Sequence, residues 1–254
     1  MTLSQAAILG VIQGLTEFFP ISSSAHLAIA QKLFGIKESF LAFDIFLHIG
    51  TLVSILIYFR NDILALITKK RRLAVFVAAA TVPTAAIGFM FKDVIEELFI
   101  RIHLVGYSLL ATGMLLFLAS AYSRINRSKP GKKVGFLSSV AVGVAQGLAV
   151  IPGISRSGAT ISTGILSGID KESAFRFSFL LAIPAILGAS LLKYRDIENG
   201  LLTGDYMNFI CGGIAALVTG LISISLLLKV IKRDRLYIFG IYCVVVAVLV
   251  IKFL

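Results

Sequence analysis

Two short polar segments, each broken by a proline, hold the groups in this chain that could do chemistry. Residues 13–26 supply Gln13, Glu17, Ser22, Ser23, Ser24 and His26, and residues 146–157 supply Ser155, Arg156 and Ser157. Glu17 and Arg156 are the only charged residues in the two segments, and both segments lie in very apolar surroundings. Gln13 and Glu17 are four residues apart, so they share one face of a helix. Their oxygens could hold a hard divalent cation such as magnesium or calcium, with phosphate and water completing the shell. Each serine cluster precedes a new helical arm, and the free N–H groups and positive dipole end of a helix start suit anions. His26 lies one turn beyond Ser22 and Ser23. Arginine stays charged and binds phosphate with two prongs. Carboxylate, hydroxyls, imidazole, guanidinium and two helix starts together are equipment for a phosphate group at membrane depth. The apolar wall beside them implies a phosphate carried on a lipid.

The elements that must position these groups come from a duplication. Gln13, Gly14, Leu15, Ile21, Ser22 and Ser24 are identical to Gln146, Gly147, Leu148, Ile154, Ser155 and Ser157 at a constant offset of 133, and Lys37-Glu38-Ser39 matches Lys171-Glu172-Ser173 one residue further on. Ser23 and Arg156 occupy equivalent places. Each copy starts with a broken segment, residues 5–34 and 135–169. Pro20 and Pro152-Gly153 interrupt the helix in each, since proline lacks an N–H and clashes with the preceding turn. Each broken segment reads as a re-entrant hairpin of two arms of roughly half-membrane length. A kinked full span with a small-residue packing face is the alternative.

The remainder is transmembrane. The chain is 58% hydrophobic, far above a soluble average, and its mean hydropathy is +0.96. Six stretches can each cross a ~30 Å hydrocarbon core: 40–59, 74–91, 104–122, 174–192, 209–228 and 236–251. The expected fold is therefore an all-α polytopic membrane protein. It comprises repeat one (1–122) and repeat two (135–254), each a hairpin plus three spans, within a single membrane domain. Three spans between the hairpins invert the second repeat with respect to the first. The N-terminal Met1-Thr2-Leu3-Ser4-Gln5 has no basic stretch, so no cleaved leader is expected.

The net charge of +11 sits in three places. Arg60–Arg72 carries +4, Arg124–Lys133 +5 and Lys229–Arg235 +3, whereas the loops at 92–101 and 193–205 each sum to −1. That alternation is the positive-inside pattern, so anionic lipid and not nucleic acid is the expected partner of the basic loops. It places those loops in the cytoplasm and both termini outside. Hairpin one then opens outward and hairpin two inward, and their tips meet inside the membrane.

Gln13-x-x-x-Glu17, the run Phe19-Pro20-Ile21-Ser22-Ser23-Ser24-Ala25-His26, and Pro152-Gly153-Ile154-Ser155-Arg156-Ser157-Gly158-Ala159-Thr160 resemble the signatures of the undecaprenyl pyrophosphate phosphatase family linked to bacitracin resistance. Length, span number and repeat extend the resemblance over essentially the whole chain. It implies a hydrolase of the bacterial inner membrane that removes the terminal phosphate from a polyprenyl diphosphate lipid, recycling the carrier for cell-wall synthesis. Divalent-metal dependence is implied too, and a homodimer is left open. By the resemblance, Glu17 belongs to the acidic motif, Ser23 matches the nucleophile and His26 the essential histidine. Ser155, Arg156 and Thr160 match the phosphate-binding motif, with Ser22 and Ser157 beside it. Gln13 is neutral where many members have Glu, which weakens a two-carboxylate metal site, and Ala25 replaces a usual Gly.

Bland readings compete at several positions. Glu17 could be a buried carboxylate paired to Arg156. Ser22, Ser24 and Ser157 could be helix caps, and Thr160 a packing residue. His48 reads as structural, His103 as a solvated loop residue, Asp44 and Arg176 as interfacial charges, and Cys211 and Cys243 as packing residues. The rival function is a transporter or flippase of a polyprenyl phosphate lipid, because inverted repeats with broken helices also serve transport.

Overall fold

The computed structural model describes residues 1–36, 41–91, 102–126, 128, 130–192 and 206–253. Lys37-Glu38-Ser39, the loops at 92–101 and 193–205, Arg127, Lys129 and the side chain of His103 lie outside the described residues. The described elements are helices. Hairpin one consists of α1 (Leu3–Phe18) and α2 (Ser23–Leu33); α3 (Leu41–Tyr58), α4 (Arg60–Thr68), α5 (Arg71–Met90) and α6 (Ile102–Ile125) follow. Hairpin two consists of α7 (Phe136–Leu148) and α8 (Arg156–Leu166), followed by α9 (Lys171–Leu192), α10 (Tyr206–Lys232) and α11 (Tyr237–Phe253).

Helices α5, α6, α9 and α10 are long and apolar enough to cross a membrane. Helices α3 and α11, with 18 and 17 residues, sit at the lower end of the ~17–25 residues a span requires. The basic segment after Arg60, expected as a loop, is partly helical. Helix α4 continues from α3 through a 67° bend. Its Leu64 and Ile67 are exposed, and Lys69–Arg72 follow directly, the pattern of a helix lying in the membrane interface.

The hairpins form for local reasons. Thr2 and Gln5 start α1 with a reciprocal capping box. Phe19 is extended, as a residue before proline tends to be. Ser22 then turns the chain at a φ of +67° before α2 begins. In hairpin two the turn falls on Gly153, φ +91°, where a Cβ would also press on the Val105 carbonyl oxygen, so glycine suits this position on both counts. The first arms are longer than half-membrane. At ~1.5 Å per residue, the 16 residues of α1 and 13 of α7 reach about 24 Å and 20 Å, past the midplane of a ~30 Å core. The two tips therefore overlap.

Packing exchanges elements between the repeats. Helix α1 of repeat one lies along α10 of repeat two, and α7 of repeat two lies along α5 of repeat one. The equivalent residues Gly10 and Gly143 make both contacts possible. A methyl group on either would run into the backbone carbonyl oxygen of Gly212 or Ala80. Lipid is as apolar as a leucine surface, so such close backbone approach, through dispersion, is what holds helices together in a bilayer. Helices α6 and α11, the last of each repeat, pair with each other. Beside the hairpin-one tip, Phe18, Phe59, Phe175 and Phe179 form a buried aromatic cluster with ring centroids 4.7–5.8 Å apart.

Ion pairs gather the basic segments at one end of the molecule. Arg176 bridges Asp62 and Glu172, Lys232 reaches Glu172, and Asp234 accepts from Lys171 and Ser123. Backbone bonds also tie Lys132 to Gly168 and Asp170 there, closing the open end of hairpin two. At the opposite end, the Asn208 side chain donates to the Met1 carbonyl oxygen, next to the open end of hairpin one. The hairpins thus open at opposite ends, as inverted repeats require. By the positive-inside rule the first end is cytoplasmic.

Candidate active site

The hairpin tips meet in the interior of the bundle. Arg156, the first residue of α8, reaches across and donates through Nη2 to Glu17 Oε1 at 2.7 Å. Ser157 Oγ donates to the Phe19 carbonyl oxygen at 3.3 Å. The pairing of Glu17 with Arg156 that the sequence offered as a bland alternative is therefore present, and it joins the two repeats at the site.

Glu17 is nearly saturated with donors. Its Oε2 accepts from Ser23 Oγ at 2.6 Å and from Gln13 Nε2 at 3.2 Å, and His48 Nε2 stands 3.6 Å away. Charge-assisted bonds of this kind are roughly twice as strong as neutral ones, and they fix the carboxylate without a bulk-water shell. Two buried polar atoms at this cluster have no partner, Gln13 Oε1 and Arg156 Nη1. Unmet groups at a buried site call for a ligand or water.

The cluster lines a cavity of about 350 Å³. Its polar end carries Glu17, Ser22, Ser23, Ser24, Ser155, Arg156 and His48. Its apolar lining comes from Ile45 of α3, from Ala149, Val150 and Ile154 of hairpin two, and from Ala185, Ile186 and Ala189 of α9, in the turns that follow Pro184. A polar end capable of binding phosphate and an apolar slot beside it match the two halves of a lipid phosphate.

The residues singled out in the sequence divide into two groups. Glu17, Ser22, Ser23, Ser155 and Arg156 line the cavity, with Gln13 directly behind Glu17. Ser155 is the N-cap of α8, accepting from the Gly158 N–H at 3.1 Å, and its own N–H donates to Thr112 Oγ1. Ser22 precedes α2 without capping it and lies 3.2 Å from Ser24 Oγ. Ser157 and Thr160 do not line the cavity. Thr160 is fully buried, donates to the Arg156 carbonyl oxygen and pairs with Ser178, so it braces the turn that carries Arg156. His26 also faces away. Its Nδ1–H donates to the Ser22 carbonyl oxygen at 2.7 Å, and its Nε2 lies 2.8 Å from Tyr242 Oη on α11.

His48 is the cavity residue that sequence reasoning passed over as structural. The signal was available, because an ionisable side chain on a membrane span is a functional candidate by default. Asp44, read as an interfacial charge, accepts from Gln31 Nε2 at 2.7 Å. Arg176, read the same way, bridges Asp62 and Glu172 at the end where the basic segments gather.

A divalent cation finds hard oxygen donors in Glu17 and Gln13, with Gln13 Oε1 open and buried. Among the described residues no group of three His, Cys, Asp or Glu side chains converges. The pair therefore fits a cation shared with phosphate and water better than a cage built wholly from protein.

Comparison with known proteins agrees with this arrangement. Residues 6–249 match the family described as bacitracin resistance protein BacA. The undecaprenyl-diphosphatase of Carboxydothermus hydrogenoformans is 46% identical over 99% of this chain and 97% of its own length. That of Halothermothrix orenii is 40% identical over 99% and 98%, and that of Methanobrevibacter smithii 38% identical over 98% and 97%. With its paired motifs at the overlapping tips and a match running nearly from end to end, the chain belongs to the bacitracin resistance protein BacA family.

Proposed function

We propose that this multi-pass membrane protein hydrolyses undecaprenyl diphosphate to undecaprenyl phosphate and inorganic phosphate at the cavity between the hairpin tips. One observation carries the reading. Ser23 Oγ is held by Glu17, and both line one cavity with Arg156, whose Nη1 has no partner, and with apolar side chains of hairpin two and α9.

Phosphoryl transfer asks mainly for positioning and charge stabilisation. Arg156 binds the terminal phosphate through Nη1 while Nη2 keeps Glu17 in place. The amides at the start of α8 supply further donors. Ser23 Oγ attacks the terminal phosphorus and its proton passes to Glu17 Oε2, the oxygen it already faces at 2.6 Å. The bridging P–O bond breaks and undecaprenyl phosphate leaves with the electron pair. Water then displaces Ser23 Oγ, which recovers the proton from Glu17, and inorganic phosphate departs. His26, tied to Ser22 and Tyr242, acts here by shaping the turn that presents Ser23. Glu17 and Gln13 would hold a magnesium or calcium ion, which would supply positive charge to the diphosphate.

The protein resides in the bacterial inner membrane, where the product re-enters the carrier-lipid cycle of cell-wall synthesis. Both hairpins come from one polypeptide, so a homodimer would bring together two complete sites. The test is phosphate release from undecaprenyl diphosphate by the purified protein in detergent, where no compartments exist. Turnover lost in Glu17→Gln and Ser23→Ala supports the reading. Binding without turnover would make the protein a carrier of the lipid instead.

A further inference from the structure

His48 projects from α3 into the cavity, a third exposed. Its Nδ1 lies 2.8 Å from the Asp44 carbonyl oxygen. A carbonyl oxygen only accepts, so Nδ1 carries the hydrogen, and in the neutral tautomer this leaves the ring's lone pair on Nε2. Asp44 is itself anchored, since its carboxylate accepts from Gln31 of α2. The ring itself is held by the main-chain bond within α3. Nε2 faces Glu17 Oε2 at 3.6 Å, so in that tautomer two acceptors confront each other at a cavity both residues line. Something that donates to both belongs there, and a water molecule has the two hydrogens required. Ser23 Oγ, bonded to the same carboxylate oxygen, is next to that position. His26 offers nothing equivalent, because both its ring nitrogens are engaged away from the cavity.

We propose that His48 is a further catalytic residue, holding through Nε2 the water that hydrolyses the phosphoryl group on Ser23. The inference rests on the cavity being the active site with Ser23 as nucleophile. In the step concerned, the water oxygen bonds to phosphorus as the Ser23 Oγ–P bond breaks. The electron pair of that bond goes to Oγ, which takes the proton held by Glu17. The water oxygen and both its hydrogens leave within inorganic phosphate. His48 accepts the hydrogen bond that aims the water and undergoes no net change.

The experiment compares wild type, His48→Leu and His48→Gln as purified full-length protein acting on undecaprenyl diphosphate labelled with ³²P in the terminal phosphate. Leucine keeps the apolar bulk but cannot accept, and a misplaced reactant costs on the order of 100-fold. His48→Leu should therefore lose about 100-fold in kcat with KM within about threefold, and acid quenching should trap labelled protein. His48→Gln has an amide oxygen for the same water and should keep at least about a tenth of the wild-type kcat. If His48→Leu does not fold, His48→Ala takes its place, with added imidazole expected to restore turnover and clear the label. Wild-type kcat in His48→Leu, equal losses in the two variants, or a slow variant that traps no label would each overturn the role. Full turnover in Glu17→Gln and Ser23→Ala would instead overturn the cavity as the active site.

Discussion

Arg156→Lys isolates what the guanidinium does beyond its charge. In the native protein one prong, Nη2, is committed to Glu17 Oε1 at 2.7 Å, and the other, Nη1, is buried without a hydrogen-bond partner. An ammonium keeps the positive charge but is a compact point charge on a flexible stem, so it cannot hold both geometries at once. If it stays with Glu17, the terminal phosphate loses one charge-assisted hydrogen bond, worth about 1.5–3 kcal/mol. At about 1.36 kcal/mol per tenfold, that is roughly a 10- to 150-fold fall in kcat/KM. Alanine would be a poorer test. Removing one partner of a buried pair costs about 3–5 kcal/mol of stability and would confuse unfolding with lost chemistry. The assay is phosphate release from undecaprenyl diphosphate in detergent, with thermal unfolding of the same preparation as the control for folding. A folded Arg156→Lys protein within twofold of wild-type kcat/KM would remove Arg156 from the phosphate site.

Three further outcomes follow from the geometry. Gln13→Glu, which sets a second carboxylate against Glu17 Oε2, should keep activity at saturating magnesium while its metal titration steepens; loss of activity in a folded protein would contradict a shared cation face. Gly153→Ala, at a φ of +91° and against the Val105 carbonyl oxygen, should destabilise the protein by roughly 1–3 kcal/mol, and an unchanged melting temperature would show that the turn relaxes freely. For sidedness, single cysteines at Ser4 and Ser128 in a Cys211→Ala, Cys243→Ala background should differ in intact cells. Ser4→Cys should react with an impermeant thiol reagent and Ser128→Cys should not, and the reverse pattern would invert the topology.

The parts of this molecule written in short-range pattern were legible in its sequence. Pro20 and Pro152-Gly153 announced the two breaks, the apolar runs announced the long helices α5, α6, α9 and α10, and the basic segments announced which loops gather at one end. Gln13 and Glu17, four apart, did face the same way, and Arg156 did meet Glu17. What depended on the rotation of one helix against another was not legible. Nothing near His48 says which way α3 turns it, and the partner that draws His26 outward, Tyr242, is 216 residues away. The bend between α3 and α4 was hidden too, because Phe59 and Arg60 continue an apolar run into a basic one without proline or glycine. The first arms of the hairpins were underestimated because the break marks only where an arm ends. How far it reaches is set by the span it lies along.

The exchange of partners between the repeats has a consequence for how the chain is made. Gly10 of α1 seats against Gly212 of α10, so the first arm to leave the ribosome fits a surface synthesised about 200 residues later. At roughly 5–20 residues per second, hairpin one waits about 10–40 s with Gln13 and Glu17 lacking both Arg156 and the groove that buries them. Its packing surfaces are complete only once both hairpin two and α10 are in place. A nascent chain stopped after residue 122 would therefore hold a polar hairpin with no seat, a ready substrate for membrane proteases. Two half-chains made together in one membrane could still supply each other's missing walls.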